Sequence, residues 1–462
     1  MRRLFTVVVG LASAALASGV SCGDEDTSLA PADNVDAALD AGAANETGIP
    51  IDANDDQRVD LDAGFDANVP LIDTCGDAGT LENVWVADSR LCVTVYAKLI
   101  GPARQMAFAP NGDLFVQSGG QIIATFDLDK NLVVEPDERS MFAEGPNGVT
   151  ELNHGLAFSP NGAFVYASSD RTIYRWPYKN GDHVASADPE IVVYGMPIGG
   201  HVTRTLTFDA TGRLYVNVGS ASDVDQLWDT RSMVRRFTIP SPLPAGGLSY
   251  DTGEVYASGL RNEVGLAFDS KGRMWGVENG SDGTYMPEGS DQDNPAEKLN
   301  RLDAPGSRFY GYPRCWTEFK LDGGLGPGTQ WAYLTASSPG DAWCRNPANV
   351  QRPAWVMQPH WAPLGVTEYN GPSLPWKGDL FITAHGSSYR SPPVGRLIAR
   401  AHLVGDTVVS VTPIVGTLAP DGGLQEGVSE LFRPVDIRPG QDGALYFSDD
   451  GSYRIYRIGY RP

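Results

Sequence analysis

One apolar pattern recurs six times along the chain: a short run with alternating apolar positions, a turn containing glycine, then a second apolar run. The copies are Gln105–Gln117, Gly155–Tyr166, Thr205–Val216, Gly265–Trp275, Lys377–Ile382 and Val435–Phe447. Alternation of period two predicts strands with one buried face. Asn-Gly and Lys-Gly steps suit tight hairpin turns, because glycine accepts the positive φ such turns need. The turn glycines are Gly112, Gly162, Gly212, Gly272, Gly378 and Gly443, spaced by 50, 50, 60, 106 and 65 residues. Hairpins repeating at this period predict an all-β fold, a six-bladed β-propeller. Ring closure protects strand edges that an open sheet would leave exposed. The gap of 106 holds an insertion containing Cys315 and Cys344.

Composition adds to this picture. The chain's 462 residues include 53 glycines and 33 prolines, which favours many turns over long helices. Its net charge of −22 argues against a nucleic-acid partner, since phosphate needs Lys and Arg. The acidity is concentrated: residues 23–77 carry fifteen acids against Arg58 alone. Repeated Asp-Ala steps there, with Phe65 as the only aromatic, cannot bury enough apolar area to fold. Residues 22–77 are therefore expected to form a disordered acidic stalk ahead of a propeller spanning 78–462. Within the stalk, Asp52-x-Asn54-x-Asp56 starts like a calcium loop but lacks its glycine and closing glutamate.

The first 21 residues read as an address. Arg2-Arg3 precedes the apolar run Leu4–Ala17 and the small residues Ser18 to Ser21. This is the pattern of a secretory signal, and the run is short for a membrane-spanning helix. Cys22 follows directly and resembles the lipidated cysteine of a bacterial lipobox, although Gly19 departs from that motif. The expectation is an exported protein: a periplasmic or cell-surface lipoprotein held to the membrane only through a lipid, or otherwise a secreted one. The four remaining cysteines, Cys75, Cys92, Cys315 and Cys344, suit disulfides in an oxidising compartment. Three connectivities are possible, of which local pairing is the simplest.

Candidate chemistry clusters beside the repeats. His154, His201, His360 and His385 flank expected strands, whereas His183 and His402 read as surface residues. Imidazole is the natural base near neutral pH. Arg261-Asn262, Arg390 and Arg433 also sit beside repeats, and forked cations near a ring axis suit an anionic ligand. Asp127, Asp129, Asn131, Glu135 and Glu138 fall at positions 1, 3, 5, 9 and 12 of a calcium loop, with Leu132 where glycine is usual. The chain has no nucleophile elbow, phosphate-binding loop or dinucleotide fingerprint.

As a set, these motifs resemble the soluble quinoprotein glucose/sorbosone dehydrogenase family, which uses pyrroloquinoline quinone (PQQ). Gly200-His201-Val-Thr-Arg204 and Val218-Gly219-Ser220 are similar to the blade carrying its catalytic histidine. Gly259-Leu-Arg261-Asn262 resembles its cofactor-carboxylate loop, and Glu278-Asn279-Gly280, Glu297-Lys-Leu-Asn300 and Tyr310-Gly-Tyr-Pro-Arg-Cys315 resemble its next segment. Pro359-His360-Trp and Ala384-His385-Gly-Ser-Ser-Tyr-Arg390 resemble the sorbosone-type branch, and Phe432-Arg433-Pro with Ser448-Asp449-Asp450 its closing blade. The similarity runs in order over about residues 90–460.

The resemblance implies oxidation of a sugar or aldehyde at the anomeric carbon, with hydride passing to the quinone and on to an external electron acceptor. It implies His201 as base, and Arg261, Asn262, Arg390, Arg433, His385 and Asp449 around PQQ. It implies calcium on the carbonyls near Gly280 and Ser281. The chain departs from the glucose branch at Gly200 and Ser220, where that branch has acids, and near Gly386, where it has a lysine. Two alternatives stay open: a non-catalytic glycan- or protein-binding propeller on a lipid-anchored stalk, and a metal-dependent lactonase-like hydrolase.

Overall fold

The computed structural model describes residues 70–462, apart from 147–150, 226–229, 284, 303–308 and 428–431. The expected signal, Cys22 and residues 22–69 of the expected stalk, with the Asp52–Asp56 stretch, lie outside the described residues.

Six sheets make six blades, antiparallel apart from Leu248–Ser249, which pairs in parallel with Glu190–Tyr194 at the edge of the second. Their inner strands are Ala103–Phe108, Leu156–Phe158, Leu206–Phe208, Glu263–Phe268, Pro363–Glu368 and Pro434–Pro439, in blades 1 to 6. Each inner strand packs beside the next, and the sixth packs beside the first, so the ring closes. Each hairpin read from the sequence joins an inner strand to the second strand of its blade, with the turn glycine at positive φ, for example 95° at Gly112 and 87° at Gly443. In the fifth hairpin Gly378 leads into the second strand, Leu380–Ala384.

Closure is mixed in chain order. Leu91–Lys98 forms the outer strand of blade 6, paired with the C-terminal strand Arg454–Tyr460. Cys75 bonds to Cys92 on this strand. The Thr74 N–H donates to the Tyr460 carbonyl at 3.0 Å, and Ile72 N–H to Pro372 at 3.2 Å. Residues 70–77, acidic linker by composition, are thus tied to the ring. The second disulfide, Cys315–Cys344, lies in the blade 4 insertion and fixes the strand Cys315–Thr317 to the short helix Asp341–Arg345.

A polar residue stands at or one before the end of the second strand of five blades in the same register: Gln117, Ser168, Asn217, Thr383 and Ser448. Four of these reach the neighbouring blade. Gln117 donates to Leu152, Ser168 to the Arg204 carbonyl, Thr383 to the Val435 carbonyl, and Ser448 to the Arg104 carbonyl, at 2.7 to 2.9 Å. They stitch one blade to the start of the next, satisfying carbonyls that the blade-to-blade crossing would otherwise orphan. The residue in this register of blade 4 is Val277, and the buried acid Glu278 follows it.

Candidate functional site

In a four-stranded blade, the chain entering the inner strand and the loop after the second strand lie at the same end. His201, Arg261-Asn262, His360 and Arg433 enter inner strands of blades 3, 4, 5 and 6. Ser220, Gly280-Ser281, His385, Arg390 and Asp449 follow or end second strands. One face of the ring therefore gathers them. The Asp127–Glu138 loop joins the third and fourth strands of blade 1, so it lies on the opposite face.

His201 is half-buried and its ring is fixed by Ser220. Its Nδ1 lies 3.0 Å from both the carbonyl and the hydroxyl oxygen of Ser220, and its backbone N–H donates to the same carbonyl at 3.0 Å. Ser220 in turn donates its N–H to the Arg261 carbonyl at 2.8 Å. Burial, then the charge of Arg261, pulls the imidazole down to about 4, against smaller opposing effects of Ser220 and Asp223. His201 is therefore a neutral ring at physiological pH. The glycines around it are required: a Cβ on Gly200, at φ +60°, would meet Ala221 Cα at 2.4 Å, and one on Gly219 would meet Asn262 Oδ1 at 2.6 Å and His201 Cβ at 2.7 Å.

Two buried arginines hold the His201 segment. Arg204 donates to the carbonyls of His201, Thr203, Pro197 and Asp170, and Arg231 to those of Gly199 and Ile198. Arg261 is also buried. It pairs with Asp223 at 2.8 Å, and its Nη1 donates to the Gly280 carbonyl. Its backbone N–H donates to Glu278, which also takes Lys298 Nζ at 2.7 Å and Asn300 Nδ2 at 3.0 Å. Glu263 lies in the same cluster. Burial and the adjacent Glu278 push its carboxyl well above the usual carboxylate range. Asn262 donates to Asn279 at 3.1 Å, while its buried Oδ1 has no protein partner.

A second group sits on the same face. Asp450 takes Arg104 Nη1 at 2.7 Å and His385 Nε2 at 2.9 Å, with Arg433 Nε at 3.8 Å. Asp449 accepts backbone N–H groups of Arg433, Gly451 and Ser452 and the Ser452 hydroxyl, so both its oxygens serve the turn. Arg390 pairs with Asp293 at 2.6 Å. Ala362 links the two groups, giving its N–H to Glu297 at 3.1 Å and accepting the N–H of His385 at 3.1 Å. Glu297 also takes the Gly280 N–H at 2.7 Å, and burial pushes its carboxyl up to about 7.

Other sequence candidates have different placements. His360 bonds through Nε2 to the Asp291 carbonyl, and His154 is buried. His183 and His402, expected at the surface, each engage an aspartate, Asp113 and Asp379, and are largely covered. Asp127, Asp129 and Glu138 converge within 4.8 Å, the one such acidic group among the described residues. Within that loop Asn131 Oδ1 accepts the Val133 N–H and Asn131 Nδ2 donates to Asp129. This loop faces away from His201. Sequence reading passed over Arg104 and Asp223, which have no local motif and gain their partners only when blades 1 and 6, or 3 and 4, come together.

Residues 86–461 match the TrAA12-like family model. The chain belongs to the TrAA12-like family. It is 32% identical over 396 residues to a pyrroloquinoline quinone-dependent pyranose dehydrogenase of Coprinopsis cinerea, covering 77% of this chain and 52% of that protein. The chain thus spans about half the length of that relative. A pyrroloquinoline quinone-dependent sugar dehydrogenase of Hypocrea jecorina is 30% identical over 379 residues, covering 75% of this chain and 84% of that protein. Among solved structures, a calcium structure of Trichoderma reesei Carbohydrate-Active Enzymes Family AA12 superposes with a TM-score of 0.71 at 26% identity, covering 83% of this chain and 98% of that one. TrAA12-like membership agrees with the propeller and with the quinoprotein resemblance of the sequence.

Proposed function

We propose that this TrAA12-like chain oxidises a sugar or aldehyde at its anomeric carbon, using PQQ and calcium and passing electrons to an external acceptor. The observation carrying this reading is an imidazole, His201, fixed by Ser220 on the face that also presents Arg433 and the buried Arg261.

The residues present fit the cofactor. PQQ is a tricarboxylate, and a face bearing Arg261, Arg390 and Arg433 suits it. The buried Oδ1 of Asn262 has no protein partner. A buried acceptor without a partner costs stability, so it marks a place where a ligand donor would bond. The carbonyls of Gly280 and Ser281 are the candidate calcium ligands, the first now accepting from Arg261. When bound, PQQ supplies a two-electron acceptor for the hydride leaving the anomeric carbon, and calcium a Lewis acid beside it.

The chain's own part is acid–base and positional. Nε2 of His201 takes the proton of the anomeric hydroxyl as its C–H electron pair leaves, giving a lactone from a cyclic aldose. Arg261, Asn262 and Arg433 hold the anionic cofactor; Arg390 and His385 flank it, and Asp449 shapes the turn that presents Arg433. Lactonase-like chemistry needs carboxylates on a central metal, and the one three-carboxylate group among the described residues lies on the opposite face. We further propose export with a lipid on Cys22 and a flexible stalk, on the sequence pattern alone.

The test is a titration of the chain, begun after Cys22, with PQQ in excess calcium, followed by cofactor absorbance. Saturable binding that weakens tenfold or more in Arg433→Ala supports the reading. No saturable binding at micromolar PQQ rejects it and favours the glycan- or protein-binding alternative.

A further inference from the structure

We infer that Ser220 is a positioning residue that locks His201 as the Nδ1–H tautomer without any carboxylate, leaving Nε2 as the only basic nitrogen. The claim deepens the proposed function, on which its catalytic meaning rests.

The argument is one of donors and acceptors. A backbone carbonyl can only accept, so the 3.0 Å contact between His201 Nδ1 and the Ser220 carbonyl requires a proton on Nδ1. The hydroxyl of Ser220 is spoken for as a donor: it gives its proton to the Ser222 carbonyl at 2.7 Å. Its lone pair at 3.0 Å from Nδ1 is then a second acceptor for the same hydrogen. In a neutral ring, one nitrogen protonated means the other is bare. Both polar groups of Ser220 therefore select the same tautomer.

The lock is stiff. Ser220 is fully buried, its N–H is held by Arg261, and its carbonyl takes the backbone N–H of His201 as well. A ring flip would break both Nδ1 contacts to Ser220. Gly200 and Gly219 let the two segments approach, since a Cβ on either would collide.

The absence of a carboxylate at residue 220 has a consequence. A carboxylate on Nδ1 would stabilise the imidazolium that forms on proton transfer. The charged groups facing His201 are Arg261 and Arg204, which oppose a positive ring, and Asp223, which favours it but is paired with Arg261. Arg204 donates to four backbone carbonyls, and Asp170 offsets only part of the burial that bears on its charge. A proton on Nε2 is therefore held less firmly than it would be with a carboxylate on Nδ1.

The experiment is long-range 1H–15N NMR of the imidazoles in the cofactor-free chain, with His201 assigned through His201→Gln. It needs no PQQ, so it separates failure of this inference from failure of the proposed function. The expected result is a bare Nε2 and a protonated Nδ1 from neutral pH down to about pH 4. In Ser220→Asp the titration midpoint of His201 should rise by roughly one to three pH units. An Nε2–H tautomer, or a wild-type midpoint at the ordinary histidine value, would overturn the inference. If Ser220→Asp does not fold, the wild-type spectrum alone decides between these outcomes.

Discussion

Arg104, at the start of the first blade, donates to Asp450, at the end of the second strand of the last blade, across 2.7 Å. The two residues are 346 positions apart in sequence, and both are largely covered. Burial alone would raise the Asp450 carboxyl. His385, then Arg104 and Arg433, outweigh that and hold it below its usual range. Removing one member of a buried pair leaves a charge without compensation. Asp450→Asn should therefore destabilise the ring by about 3 kcal/mol, measured by chemical denaturation at neutral pH. A loss below 0.5 kcal/mol would show that water compensates Arg104 instead.

The Cys75–Cys92 bond joins the first described residues to the outer strand of blade 6. It closes a loop of 17 residues and anchors the strand that completes the ring. Cys75→Ser with Cys92→Ser should cost about 3 kcal/mol and lower the thermal midpoint. Calorimetry with and without reductant would check it, since reductant should have less effect on the double variant.

Asp209 organises the blade 3 hairpin. It accepts from the Thr211 and Arg213 N–H groups, the Thr211 and Tyr215 hydroxyls and Arg213 Nε. Burial raises its carboxyl, but these bonds and the guanidinium prevail and bring it down to about 2. The folded value lies below the unfolded one, so its contribution is present above pH 4 and fades as pH falls toward 2. The difference in thermal midpoint between wild type and Asp209→Asn should be largest at neutral pH and shrink across that window.

Gly219 separates His201 from Asn262. A methyl group there would fall 2.7 Å from His201 Cβ, so one of the two must move. Displacing a base by an ångström costs on the order of a hundredfold in rate. Gly219→Ala should lower kcat by about that factor with a smaller change in KM. Unchanged kcat with intact PQQ binding would mean that His201 tolerates displacement.

Much of the ring was legible because propeller hairpins announce themselves locally. Gly112, Gly162, Gly212, Gly272, Gly378 and Gly443 carry positive φ for a reason that the flanking apolar alternation already states. His201 and Arg261 were legible as candidates because each sits just ahead of such a repeat. Their partners were harder to see. Ser220 was visible as a departure from the glucose branch, but its role was not, because it acts partly through its carbonyl, which every residue type possesses. Asp223 and Arg104 gain their roles from contacts 38 and 346 positions away. The stitching by Gln117, Ser168, Thr383 and Ser448 was visible as a polar residue at or one before the end of a strand, yet its meaning depends on which blade lies next. The acidic loop Asp127–Glu138 shows the reverse case. Its spacing is local and legible, but only topology puts it on the face away from His201.

The central claim is that His201 removes the proton as hydride leaves an aldose bound beside PQQ. Its most direct measurement is single-turnover reduction of the PQQ–calcium-loaded chain by aldoses, followed by cofactor absorbance, in wild type and His201→Ala. The account predicts rapid bleaching of the oxidised cofactor in wild type, with a rate that falls only as pH drops toward 4. It predicts a loss of at least a hundredfold in His201→Ala, with PQQ binding retained. Equal reduction rates in the two proteins would contradict it.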